Sequence, residues 1–187
     1  NEYQSNFGKI QNNQNTIGIN FQKTWSKRAF SNTSFGYSVE NVKNKFYLIQ
    51  NQMKTDSVSF SNNNNSINKS FRNINYRKLS DKISSDYGFE WISNISDYNL
   101  LRSRKRLEIN ENISVNNWST FFSVKSSTID KLIISSGLRL DQNDYENKIL
   151  FSPRLNIDFQ LLNLTNLIFN TGIYRQNPPE IYLSLKE

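Results

Sequence analysis

The sequence predicts an all-β protein built from antiparallel strands, and three observations predict it. Ala occurs once in 187 residues, while Phe, Tyr and Trp number 13, 9 and 3. That composition forms helices poorly and strands well. The chain also holds 30 Asn and 25 Ser, whose short side chains compete for the backbone hydrogen bonds a helix needs. Above all, apolar and polar residues alternate with period two in run after run, which sends them to opposite faces of a strand.

The first run covers residues 16–25. Ile17, Ile19, Phe21 and Trp25 share one face with Lys23, against Thr16, Gly18, Asn20, Gln22 and Thr24. Thr33, Phe35, Tyr37 and Val39 then oppose Asn32, Ser34, Gly36 and Ser38. Only Ser26-Lys27-Arg28 separates the two runs, so they read as a hairpin. Residues 41–85 contain the tract Asn62-Asn63-Asn64-Asn65 and a polar run at 66–70. They are expected to be mainly a long loop, with room for a hairpin around Arg72, Ile74, Tyr76 and Lys78. Tyr87, Phe89 and Trp91 next oppose Gly88 and Glu90. Residues 98–109 alternate least clearly of the expected strands.

The last third alternates cleanly. Trp118, Thr120, Phe122 and Val124 share a face. After residues 127–130, Leu132, Ile134, Leu138 and Leu140 oppose Ser135, Gly137, Arg139 and Asp141. Beyond the polar segment 142–148, Leu155, Ile157, Phe159 and Leu161 oppose Arg154, Asn156, Asp158 and Gln160. A tight turn at Leu162-Asn163-Leu164 leads to Leu167, Phe169 and Ile173, opposing Asn170, Gly172 and Gln176.

No helix in this sequence can cross a membrane. The longest apolar stretch is Phe46-Tyr47-Leu48-Ile49, against about twenty residues needed. Strands are another matter. Each run is about 9–12 residues long, the length of a tilted strand in a bilayer. Short connections at 26–28, 127–130 and 162–164 alternate with longer ones, as the tight turns and long extracellular loops of outer-membrane barrels do. With a turn near 94–97 and a loop near 110–115, the parity closes on eight spanning strands and an extracellular 41–85. The polar face carries Asn, Ser, Gly, Gln and Arg, as a wet lumen would. The other stays apolar, with Trp25, Trp91 and Trp118 near the strand ends. A soluble β-sandwich alternates as well. The alternative is thus a soluble all-β ligand-binding module such as a glycan-binding sandwich. A complete eight-strand barrel also fits the length.

Composition removes most catalytic chemistry. There is no Cys and no His. Disulfides, thiolate or imidazole metal sites and a Ser-His-Asp triad are all excluded. The net charge is +7, and the densest run is Arg102-Ser103-Arg104-Lys105-Arg106. It lacks the interleaved aromatics of a single-strand nucleic-acid site, so no nucleic-acid partner is expected. Asp141-Gln142-Asn143-Asp144-Tyr145-Glu146 departs from a calcium loop at its fifth and sixth positions, and nothing places Glu108 and Glu111 together in a pocket. The expectation is no enzyme, no metal and no cofactor.

Three motifs carry a family resemblance. Gly137-Leu138-Arg139-Leu140-Asp141, then Phe151-Ser152-Pro153-Arg154-Leu155, then Gly172-Ile173-Tyr174-Arg175-Gln176-Asn177-Pro178-Pro179 resemble the barrel of TonB-dependent outer-membrane transporters. In that family a Gly-Leu-Arg-aromatic-Asp strand rises to an extracellular loop, with Leu140 here in the aromatic place. A Ser-Pro-Arg strand descends, and a Gly-x-Tyr-x-Gln-x-Pro-Pro strand ascends. The resemblance extends over residues 118–185, more loosely over 86–107. It implies a barrel of about 22 strands filled by an N-terminal plug domain. Residues 1–187 are then expected to be about eight strands from one transmembrane barrel domain, without the plug and the segment that binds TonB.

The resemblance further implies a protein of the Gram-negative outer membrane that imports a scarce nutrient such as a siderophore, glycan or peptide. Implied partners are outer-membrane lipid and lipopolysaccharide, the protein's own plug domain, TonB, and a surface lipoprotein or other outer-membrane protein. The motif positions are Gly137, Arg139, Asp141, Ser152, Pro153, Arg154, Gly172, Tyr174, Gln176, Pro178 and Pro179. Alternation assigns Leu138, Ile157 and Phe169 to lipid and Ser135, Asn156 and Asn170 to the lumen.

Overall fold

A computed structural model describes residues 5–50, 53–102, 107–145 and 148–175. The described chain is all-β. Its eight strands are β1 (Ser5–Ser26), β2 (Ala29–Gln50), β3 (Met53–Lys78), β4 (Ile83–Arg102), β5 (Leu107–Ile129), β6 (Leu132–Asn143), β7 (Ile149–Leu162) and β8 (Thr165–Gly172). They form one open antiparallel sheet in chain order, each strand paired with its sequence neighbours. The described strands lie in a single layer, not in the two facing sheets of a sandwich.

Short turns at 27–28, 79–82, 130–131 and 163–164 close one end of the sheet. The second, at 79–82, replaces a turn expected elsewhere. Residues 94–97 lie within β4 and 110–115 within β5. The expected long loop at 41–85 is likewise strand for most of its length: the far half of β2 and all of β3. Its Asn tract is laddered rather than looped. Asn41 Nδ2 donates to Asn65 Oδ1, Asn68 Nδ2 to Asn94 Oδ1 and Asn112 Nδ2 to Asp97 Oδ1. Both faces are polar there, so strand pairing persists where hydropathic alternation fades.

Register places side chains on two faces. The row Ile19, Phe35, Phe71, Trp91, Trp118 runs across β1–β5. Two pairs of its rings are in contact, Phe35 and Phe71 at 4.9 Å and Trp91 and Trp118 at 5.7 Å between centroids. Phe122, Leu138 and Pro153 continue on this face, as do Ile134, Ile157 and Phe169. Ser135, Asn156 and Asn170 form a row on the opposite, Arg139 face. Trp91 and Trp118 stand mid-strand, at the point where the Phe35 face turns polar, rather than near the strand ends.

The Phe35 face is mainly apolar over a band, broken on β3 by Lys69, Asn73 and Asn75. Beyond it, away from the short turns, it carries Asn41 and Lys43 on β2, Asn63 and Asn65 on β3, Asp97 and Asn99 on β4, and Asn110 and Asn112 on β5. On β4–β5 the apolar residues change sides at that height: Leu100, Ile109, Ile113 and Val115 lie on the Arg139 face. Ile109 and Val115 are the buried hydrophobics among the described residues. By contrast Phe35, Phe122 and Phe169 are 54%, 53% and 55% exposed. Covering a side chain of that size is worth about 1.5–3 kcal/mol. A one-layer sheet has nothing to cover it with, so a second layer must come from outside these strands.

Candidate functional site

Arg139 is the centre of a polar cluster on the face opposite Phe35. It sits on β6 across from Phe121 of β5 and Ser152 of β7. Its Nε donates to Asp141 Oδ1 at 2.8 Å, and its Nη2 donates to Glu90 Oε2 at 2.9 Å and to Ser119 Oγ at 2.8 Å. Ser119 Oγ in turn donates to Asp141 Oδ1 at 2.6 Å. Arg72 Nε stands 3.7 Å from the other Glu90 oxygen. One network thereby ties β3, β4, β5 and β6.

Alternation explains the convergence. Arg139 and Asp141 are two residues apart, so they share a face and one guanidinium reaches both its own-strand carboxylate and Glu90 two strands away. The planar fork of Arg suits two acceptors at once. Close backbone approach supports the same face: a Cβ on Gly88 would lie 2.6 Å from the Phe121 ring. Glycine there lets that ring lie across β4 beside the network.

The motif residues separated in sequence meet here. Gly137, Arg154 and Gly172 form one cross-strand row. The Arg154 guanidinium stacks 5.0 Å from the Tyr174 ring centroid. Ile173 N–H donates to Pro153 O at 3.0 Å, while Pro153 itself stands on the other face opposite Leu138. Arg139, Asp141, Asn143, Ser152, Arg154 and Arg175 line a cleft of 350 Å³. Ser152 is almost wholly buried there. Gln176, Pro178 and Pro179 lie outside the described residues, as do 103–106 of the basic run.

Other candidates disperse. Glu108 and Glu111 occupy opposite faces of β5, since they are an odd number of residues apart on one strand. Asp141 is engaged by Arg139, and Asp144 accepts from Asn116 N–H at 2.9 Å and Asn116 Nδ2 at 2.7 Å. Among the described residues no cluster of three or more acidic side chains is placed to hold a metal ion. Sequence reading missed Glu90 and Ser119 as partners of Arg139, and Arg72 as a second cation on Glu90; the signal was their shared face on neighbouring strands, usable only with the register in hand. Compared with family models, curated proteins and solved structures, the chain matches none.

Proposed function

We propose that these strands are part of the barrel wall of a TonB-dependent transporter in the outer membrane of a Gram-negative bacterium, importing a scarce nutrient such as a siderophore, glycan or peptide. One observation carries the membrane reading. Apart from Lys69, Asn73 and Asn75 on β3, the Phe35 face is mainly apolar over a band and polar beyond it, while the opposite face at the height of the band holds an ionic network. Lipid supplies the missing second layer for such a band, and a wet lumen suits the network. The band's aromatic edge at Trp91 and Trp118 matches an interfacial girdle. The transporter reading rests on the Gly-Leu-Arg, Ser-Pro-Arg and Gly-x-Tyr motifs, whose polar members gather around Arg139 and Arg154. That cluster faces where the resemblance puts the plug domain. Nutrient capture and the contact with TonB then belong to loops, plug and surface partners rather than to this wall.

Cell fractionation and uptake test the reading. The protein is expected in the outer-membrane fraction, released only by detergent. Its loss is expected to abolish high-affinity uptake of one nutrient, and removal of TonB to produce the same defect. Recovery as a soluble monomer, or uptake indifferent to TonB, would contradict it.

A further inference from the structure

The polar break in the apolar band is organised. Ser31 and Thr33 on β2 stand directly across from Asn75 and Asn73 on β3. One chain of hydrogen bonds links them. Trp25 Nε1 donates to Ser31 Oγ at 2.7 Å, Ser31 Oγ to Asn75 Oδ1 at 2.6 Å, Asn75 Nδ2 to Asn73 Oδ1 at 2.6 Å and Asn73 Nδ2 to Thr33 Oγ1 at 2.8 Å. Exposed rings of Phe21, Phe35, Tyr87 and Phe89 surround this island. Resting on the membrane reading, we propose that the island is the centre of a lateral contact with a second copy of the same chain, the two barrels related by a twofold axis along the membrane normal.

Hydrocarbon leaves the island incomplete. Each amide nitrogen carries two N–H groups and uses one within the chain of bonds. The Thr33 hydroxyl accepts there and still has its own proton to donate. Acyl chains accept nothing, and a donor left unmet is far costlier in lipid than in water.

Charge complementarity selects the occupant. An asparagine side chain presents a positive N–H edge beside a negative carbonyl, so the same surface turned through a twofold sets N–H against carbonyl in both directions. The twofold also keeps like charges apart. Lys23, on the β1 side of the island, faces the β4–β5 side of the other copy. Lys69 lies four residues from Asn73 on β3, about 13 Å along a strand tilted by roughly 40°. The two β3 strands cross at the island, so their Lys69 residues diverge to about 17 Å. Beside the island, a groove of 510 Å³ lined in part by Asn75, Tyr87, Phe122 and Leu138 receives side chains of the facing copy. Two convex walls thereby meet over an area rather than along a line.

The full-length protein is reconstituted in phospholipid vesicles, and fluorophore bleaching steps count its copies as the protein-to-lipid ratio is varied. The native protein is expected to dimerise. The double variant Asn73→Leu, Asn75→Leu is expected to dimerise about ten-fold more weakly or less, with an unchanged folded fraction, since Leu suits a lipid-facing site. Thr171→Leu, on the same face of β8, is expected to change nothing. In outer membranes carrying two differently tagged forms, cysteine at 75 is expected to crosslink one form to the other, and cysteine at 169 is not. A native protein that stays monomeric at every ratio, or a leucine variant that dimerises as tightly, would overturn the proposal. So would a crosslink from position 75 to a different protein. Flotation with the vesicles is scored separately: a folded monomer that floats overturns the dimer and leaves the membrane reading standing, and no flotation overturns both.

Discussion

Arg139 Nη2 and Glu90 Oε2, 49 residues apart in the chain, meet at 2.9 Å across the intervening strand β5. The pair spans two strand spacings, which only a long side chain lying along the sheet surface can do. Ser119 of β5 lies between them and accepts from the same nitrogen.

Removing that guanidinium takes from the partly buried Asp141 and Glu90 carboxylates the cation they share. Arg139→Met is therefore expected to destabilise the folded protein by about 1–3 kcal/mol. Arg139→Lys should recover only part, because a single ammonium cannot present the two-pronged donor that joins Asp141 and Glu90. Denaturation midpoints in detergent measure both. Equal stability of the native protein and Arg139→Met would refute the network's structural role.

A second expectation follows from facing. Arg at a lipid-facing midplane position costs about 2–4 kcal/mol, whereas a wet lumen tolerates it. Leu138→Arg should lower the yield of folded protein in membranes far more than Ser135→Arg, three residues away on the opposite face. Heat-modifiable mobility on gels reads the folded fraction, and equal yields would contradict the assignment.

The turn between β5 and β6 stores local strain. Lys131 has φ of 63°, a left-handed conformation that costs a side chain with a Cβ roughly 1 kcal/mol or more. Its carbonyl is fixed by Gln160 N–H at 2.8 Å. Lys131→Asn, which tolerates this region better, should raise stability by up to about 1 kcal/mol, while Lys131→Val should lower it. The opposite order in thermal unfolding would refute the turn geometry.

Asp81, in the turn after β3, has its carboxyl held below the ordinary carboxylate range by the hydrogen bond and charge of Lys78, whose Nζ is 2.9 Å away, and then by Arg28. A depressed folded-state pKa stabilises at pH values above the unfolded carboxylate's own pKa. That contribution disappears as pH falls through the lowered value. Asp81→Asn should then be slightly less stable at neutral pH, with the difference closing on acidification. The group is fully exposed, so the effect is small and falls with salt. A gap that widens in acid would reverse the sign argued here.

How much of this was legible in sequence depended on whether hydropathy still alternated. The hairpin of residues 16–39 and the last third were readable because one face there is apolar and the other polar. β3 was hidden because Asn62-Asn63-Asn64-Asn65 pair with Asn44, Lys43, Val42 and Asn41, and a strand polar on both faces has no period to detect. The β4–β5 hairpin beyond Trp91 was hidden for a related reason. Its apolar residues move to the other face at Leu100, Ile109 and Val115, which scrambled the pattern over 98–115. Arg139 and Asp141 were marked as positions of one motif but not as a site, and their meeting with Glu90 and Arg72 required cross-strand register that no local pattern encodes.

Site-directed cysteine labelling tests the membrane-facing band most directly, since the chain has no native Cys. In intact outer membranes, cysteines at 138, 157 and 169 should react with a lipid-soluble maleimide and resist a water-soluble one. Cysteines at 43 and 110, on the same face beyond the band, should react with the water-soluble reagent. Aqueous labelling of 138, 157 and 169 in the native state, as readily as 43 and 110, would contradict a lipid-facing band; resistance of all three to both reagents until unfolding would place them in a protein core instead.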